Sequence, residues 1–159
     1  MAVRNFSWVM PGKLAGSAMP GGTMYAVEAY AGADLHELRS HGVSTICSLA
    51  PVVEGFGGLC ERTGLRWLYY PIEDFGVPRD IGAFERVIQE AVKHIRAGEA
   101  VCVHCRAGIG RTGIGLACIV GRYLGLDGEA ALKTVRGQRS SVETDIQSAF
   151  IFQFLANEA

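Results

Sequence analysis

Apolar positions along the chain alternate between two periods. At residues 6–10, 14–17, 43–49, 65–72 and 100–104 they fall in short blocks bounded by glycine, proline or charged residues, as strands do. The 100–104 block, Ala-Val-Cys-Val-His, is apolar nearly throughout, which fits a strand covered on both faces of a parallel sheet. Between the blocks the period lengthens. Ile81, Phe84, Ile88, Ala91 and Ile95 recur at helical spacing behind Asp80, a good N-cap, and Gly98 ends the run. Residues 111–124 are apolar on most sides and predict a central, buried helix. Residues 34–40 read as a short helix closed by His41 and Gly42, and 51–64 as a glycine-rich connection without regular structure. The last helices are expected over 127–135 and 144–156, the second with Thr144 and Gln147 spaced as a capping box. This alternation predicts an α/β fold: a central, mostly parallel sheet of four to five strands flanked by helices. A length of 159 residues suits one domain with one core.

Cys105 stands where the 100–104 strand ends and Arg111 where the next helix begins, with Gly108 and Gly110 between them. Free N–H groups at a helix start carry the positive end of its dipole and bind phosphate oxygens. The turn of Arg106, Ala107, Gly108, Ile109 and Gly110 is expected to curl its N–H groups inward as an anion nest. Glycine suits it by accepting positive φ and a close ligand. Arg111 offers a planar fork to two oxygens of a phosphoryl group. The same surroundings favour the thiolate of Cys105, the nucleophilic form. Thr112 is placed to donate its hydroxyl to that sulfur, and His104 to fix the loop by hydrogen bonding rather than act as a base. Phosphoryl transfer asks mainly for charge neutralisation and alignment, so the segment predicts phosphate-monoester hydrolysis through a phosphocysteine, with no metal and no cofactor. The leaving oxygen also needs a proton donor that later takes a proton from water. Glu73 and Asp74, adjacent at the end of the preceding strand, both qualify on chemistry alone.

Other patterns cross the same segment. Gly108, Gly110 and Gly113 spell a dinucleotide fingerprint, but that fold needs a further strand bearing an acid about 20 residues on. Here Asp127 and Glu129 come early and helices follow. Cys102 and Cys105 form a C-x-x-C without the second pair that a zinc site requires. A redox pair would leave Arg111 unexplained. The bland alternative is a buried cysteine beside a chance arginine.

His-Cys-x5-Arg-Thr-Gly, running from His104 to Gly113 without a gap, is the signature of cysteine-based protein tyrosine phosphatases, and the chain resembles that superfamily. Residues 6–20, Ser141-Val142-Glu143-Thr144 and the following Phe150-Ile151-Phe152-Gln153-Phe154 resemble small VHZ-type dual-specificity phosphatases and compact archaeal tyrosine phosphatases. The resemblance implies Cys105 as nucleophile, Arg111 as transition-state clamp and Asp74, in the acid-loop segment 71–78, as general acid. Asp74 is favoured over Glu73 because it precedes Phe75 as in the family, whereas Glu73 stands where relatives often carry proline. Glu143 matches a Gln or Glu position on a loop that orients the attacking water; a plain acid at a helix start is the alternative. Relatives often have proline after the arginine preceding this loop. Here Arg139 is followed by Ser140, so a more flexible loop is expected.

The implied substrates are phosphotyrosine proteins, with phosphoserine and phosphothreonine open because so short a chain leaves little for deep pocket walls. Phosphoinositides or RNA 5′-phosphates are the enzymatic alternatives, and a non-catalytic phosphate-binding module the non-enzymatic one. A net charge of −1 gives no global field for nucleic acid or membrane. Arg106, Arg111, Arg122, Arg136 and Arg139 are candidates for the pocket rim, Arg122 and Arg136 reading equally as solvated helix residues. Of the five cysteines, Cys47, Cys102 and Cys118 lie in apolar runs and read as core. A reactive thiolate needs a reducing compartment, and no signal peptide or spanning segment is apparent. The cytoplasm is the expected location, a nuclear pool being compatible, and a monomer the expected state.

Overall fold

The computed structural model describes residues 3–25 and 28–158. In chain order the elements are β1 (Ser7–Met10), β2 (Leu14–Ser17), α1 (Glu28–Ser40), β3 (Thr45–Ser48), α2 (Phe56–Thr63), β4 (Arg66–Tyr69), α3 (Ile81–Arg96), β5 (Val101–His104), α4 (Gly110–Leu124), α5 (Gly128–Arg136) and α6 (Asp145–Ala156). The strands form one sheet in the order β1-β2-β5-β3-β4, parallel except for the antiparallel edge pair of β1 with β2. In β5, Val101 pairs with Leu14 on one side and with Thr45 on the other. That central place explains why its residues are apolar and wholly buried.

Alternation along the strands sorts side chains to two faces. Val101, Val103, Leu14 and Cys47 join Phe84, Ile88, Ile114 and Ile119, so α3 and α4, backed by α5 and α6, cover one face. Cys102, Ala15 and Ile46 join Leu35, Leu38, Phe56 and Leu59, so α1 and α2 cover the other. Helix α4 runs through the middle, and its residues 110–121 are all buried.

Asp80 caps α3 by accepting from Ala83 N at 3.0 Å, and Asp127 caps α5 by accepting from Ala130 N at 2.9 Å. Two expectations are corrected. The helix expected over 34–40 extends from Glu28, burying Ala31, Asp34, Leu35 and Leu38. The connection expected over 51–64 contains α2, whose Phe56, Leu59, Cys60 and Thr63 are buried at helical spacing. Gly57 and Gly58 are poor helix formers, and burial outweighs propensity here. Gly57 also lies where a Cβ would come within 2.9 Å of the Trp67 ring, so glycine lets α2 close onto β4.

All four parallel strands end at one edge of the sheet, the edge where ligands bind in such folds. The segments leaving them gather there: 18–25 after β2, 49–55 after β3, 70–80 after β4 and 105–109 after β5. Among the described residues, no helix is long and apolar enough to cross a membrane.

Candidate active site

The loop joining β5 to α4 is fixed by its carbonyl groups. Cys105 O faces His104 Nδ1 at 3.0 Å, Arg106 O accepts from Met19 N at 3.0 Å, and Ala107 O accepts from Asn5 Nδ2 at 3.0 Å. Gly108 O accepts from Arg139 Nη2 at 2.7 Å, and Ile109 O from Val142 N at 3.0 Å and Gly113 N at 2.9 Å. Every carbonyl from Cys105 to Ile109 is therefore engaged. A trans peptide points its N–H opposite its C=O, so these bonds turn the amide hydrogens toward the other side, the concave side of the loop. Gly108 has φ +82°, and a Cβ there would lie 2.6 Å from Ser17 O, so no other residue fits.

Cys105 is buried at the foot of the loop, and its Sγ accepts a hydrogen bond from Thr112 Oγ1 at 3.0 Å. A hydroxyl donated to sulfur stabilises its anion. Arg111, also buried, directs Nη1 to Ile72 O at 2.8 Å and Nη2 to Asp74 Oδ1 at 3.2 Å. Met19 and Ala50 pack against Cys105 and, with Met24, Tyr25, Asp74 and Arg106, line a cleft of about 310 Å³ above it.

His104 is wholly buried, and burial pushes its pKa down to about 4. It is neutral at physiological pH, and its tautomer follows from its partners. A carbonyl can only accept, so Nδ1 carries the hydrogen toward Cys105 O. Nε2 then accepts from Ser48 Oγ at 2.6 Å, and Ser48 Oγ in turn accepts from Trp67 Nε1 at 2.9 Å. His104 thus braces the loop. Burial also pushes the other thiols up, Cys47 and Cys60 to about 12 and Cys102 to about 11, with Cys118 likewise raised.

The two candidate acids both line this cleft but have different partners. Asp74 accepts from Phe75 N at 3.1 Å through the same Oδ1 that faces Arg111. Glu73 pairs with Arg79 at 2.9 Å, both side chains being more than three-quarters exposed. Their turn is closed by Gly76 N donating to Glu73 O at 2.8 Å and places Phe75 at φ +61°. It is tied to the rest of the site by Gln147 Nε2, which donates to Gly76 O at 3.2 Å.

Gln147 is the site residue that sequence reasoning missed. Thr144 Oγ1 accepts from Gln147 N at 3.2 Å as a capping box requires, but Gln147 Oε1 accepts from Glu143 N at 2.8 Å instead of returning to Thr144. The amide therefore joins the Glu143 segment to the acid turn, beside Gly110. Glu143 brings its carboxylate against the same glycine. Its loop, expected to be flexible for want of a proline, is held by Val142 N on Ile109 O and by Arg136 Nε on Ser141 O at 3.0 Å. Of the five arginines, Arg106 and Arg111 line the cleft. Arg139 lies beneath it, buried, donating to Gly16 O at 2.6 Å, Ser7 Oγ at 2.9 Å and Gly108 O, and burial lowers its pKa. Arg122 pairs with Glu85 at 2.6 Å and lies over the Phe154 ring, and Arg136 holds Ser141, so neither rims the pocket. Among the described residues, no group of three His, Cys, Asp or Glu could hold a metal ion.

The loop thus joins a buried cysteine to a buried arginine, and similarity to known proteins gives the class of the chain. Residues 16–124 match the family model "Tc-R-P: Polymorphic toxin system, DSP-PTPase phosphatase", and the chain belongs to this family of phosphatases. The tyrosine phosphatase homologue 067L of Invertebrate iridescent virus 3 is 30% identical over 105 residues, covering 64% of this chain and 44% of that protein. The match covers about half the length of that protein and of the Methanocaldococcus jannaschii protein MJECL20, and a smaller share of tyrosine-protein phosphatase corkscrew of Drosophila melanogaster, 11%. Among solved structures, kinase associated phosphatase with its catalytic cysteine replaced by serine has a TM-score of 0.82 at 22% identity, covering 100% of this chain and 99% of that one. The active form of Tk-PTP has a TM-score of 0.78 at 23% identity, covering 96% and 97%. Both share the fold.

Proposed function

We propose that this chain is a protein tyrosine phosphatase of the dual-specificity type that works through a phosphocysteine. The observation that carries this is the Thr112 hydroxyl donating to Cys105 Sγ at 3.0 Å, at the foot of a loop whose carbonyls all face away. In the first step the Cys105 thiolate attacks phosphorus, forming the S–P bond as the P–O bond to the leaving group breaks. The amide hydrogens of residues 106–110 and the Arg111 guanidinium take up the charge on the equatorial oxygens. Asp74 gives its proton to the departing oxygen. In the second step the Asp74 carboxylate takes a proton from water as its oxygen attacks phosphorus, and the S–P bond breaks to return the thiolate, which Thr112 stabilises. The Asp74–Arg111 approach at 3.2 Å supports this assignment of the acid; Glu73 lines the same cleft but is paired with Arg79 instead of Arg111. Glu143 and Gln147, both against Gly110, are suited to placing the water. Proteins carrying phosphotyrosine are the proposed substrates, with phosphoserine and phosphothreonine admitted by a cleft bounded by short segments.

The test is hydrolysis of an aryl phosphate in the presence of chelator. Cys105→Ser is expected to abolish turnover, and mass spectrometry of acid-quenched wild type to show phosphate on Cys105. Wild-type rates in the variant, or phosphate on another residue, would overturn the proposal.

A further inference from the structure

Beside the catalytic cleft lies a second one, of about 330 Å³, lined by Arg4, Asn5, Ala18, Gly22, Arg106 and Ala107. Arg106 lines both clefts. Arg4 and Arg106 are exposed, and neither guanidinium makes a hydrogen bond or an ion pair among the described residues.

Their placement is nonetheless fixed by backbone. Arg4 O accepts from Ala18 N at 2.9 Å, and the neighbouring Asn5, at φ +53°, spends its amide on Ala107 O and Gly108 O of the nucleophile loop. The Arg4 head lies against Gly22, in the space a Cβ would fill, so glycine there makes room for the guanidinium. Two arginines whose guanidiniums have no partner among the described residues, one on the loop after Cys105 and the other next to the Asn5 that bonds it, thus line one cavity.

From this juxtaposition we infer that Arg4 and Arg106 form a second anion subsite, which receives an acidic group carried next to the phosphotyrosine of a peptide. The inference rests on the phosphatase reading above and extends it to substrate choice. The common chemistry is a carboxylate or a second phosphate, either of which two guanidinium forks can bind. A peptide is favoured over an inositol ring by the wall of the catalytic cleft. Met19, Met24 and Tyr25, the last 80% exposed, present apolar and aromatic surface to the group that bears the phosphate. That surface suits an aryl ring and offers little to a ring of hydroxyls.

The experiment compares kcat/KM for phosphotyrosine peptides identical except for flanking residues. These are glutamine in one, glutamate in the second and phosphoserine in the third, with phosphoinositide vesicles and soluble inositol phosphates as further arms. The anionic peptides are expected to be preferred by about three- to tenfold, as suits partly exposed charge-assisted contacts. Arg4→Gln should bring that ratio to about one while leaving turnover of a small aryl phosphate unchanged, which also shows that the variant folds. Arg4→Glu should invert it. The glutamate and phosphoserine arms report which anion is preferred. The inference fails if wild type does not discriminate, if Arg4→Gln keeps the ratio, or if an Arg4-dependent preference is found for inositol phosphates or lipids instead of peptides. Loss of Cys105-dependent turnover of the small aryl phosphate would instead mark failure of the phosphatase reading.

Discussion

The loop proposed to carry the nucleophile and the turn proposed to carry the acid line one cleft and are built in opposite ways. The loop has Cys105 and Gly108 buried, and all its carbonyls from Cys105 to Ile109 are held by groups that range from Asn5 to Val142. The turn at Glu73, Asp74 and Phe75 is exposed, and two side chains, Arg111 and Gln147, tie it to the floor. Charge developing on a phosphoryl group is met most effectively by dipoles that need not reorganise. A proton donor must admit the substrate and release the product, so a lightly tethered turn suits that task.

Asp74→Asn should separate the two halves most sharply. Phenyl phosphate hydrolysis is expected to fall about 100- to 10,000-fold, the range of general acid catalysis, and p-nitrophenyl phosphate hydrolysis far less. Glu73→Gln should leave both nearly unchanged. Equal losses on the two substrates in Asp74→Asn would remove the proton donor from this turn.

Gly108→Val attacks the other half. Its left-handed backbone and the 2.6 Å approach to Ser17 O admit no side chain, so the loop must shift. Turnover should fall about 100-fold on both substrates alike, as misplacement by about 1 Å does. A leaving-group dependence would show that floor and turn do not act separately.

The smallest effect expected at neutral pH concerns His104. Its folded pKa is about 4 against an ordinary 6.5, so between those values the unfolded chain binds the proton and the folded one does not. Stability is therefore full above pH 6.5, declines as pH falls toward 4 and levels off below, by about 3 kcal/mol in all. Denaturant titrations across that window should show this slope in wild type and lose it in His104→Asn. A slope that survives the substitution would assign it to other groups.

Local signals were legible in the sequence. The apolar run of β5, the glycines after Cys105, the spacing of α3 and its cap Asp80 each act within a few residues. Helix α2 was hidden by Gly57 and Gly58, although Phe56, Leu59, Cys60 and Thr63 keep a helical period. The first turns of α1 were hidden because they consist largely of alanine and glycine and bury Ala31 alone, which gives no apolar stripe to read. Long-range partners were beyond local reading: Arg139 under Gly108, Asn5 on Ala107 and Gln147 on Gly76 join segments far apart in sequence. The departure at Ser140 suggested looseness because proline is a local restraint, whereas the actual restraint is the contact of Val142 with Ile109.

The relay from Trp67 through Ser48 to His104 has a practical corollary. An indole hydrogen-bonded to a serine that itself bonds the brace of the loop after β5 is a natural fluorophore wired to that loop. Oxyanion occupancy that shifts Cys105 O will be transmitted along three hydrogen bonds, so the emission of Trp67, isolated by replacing Trp8 with phenylalanine, offers an optical readout of the site without any added dye.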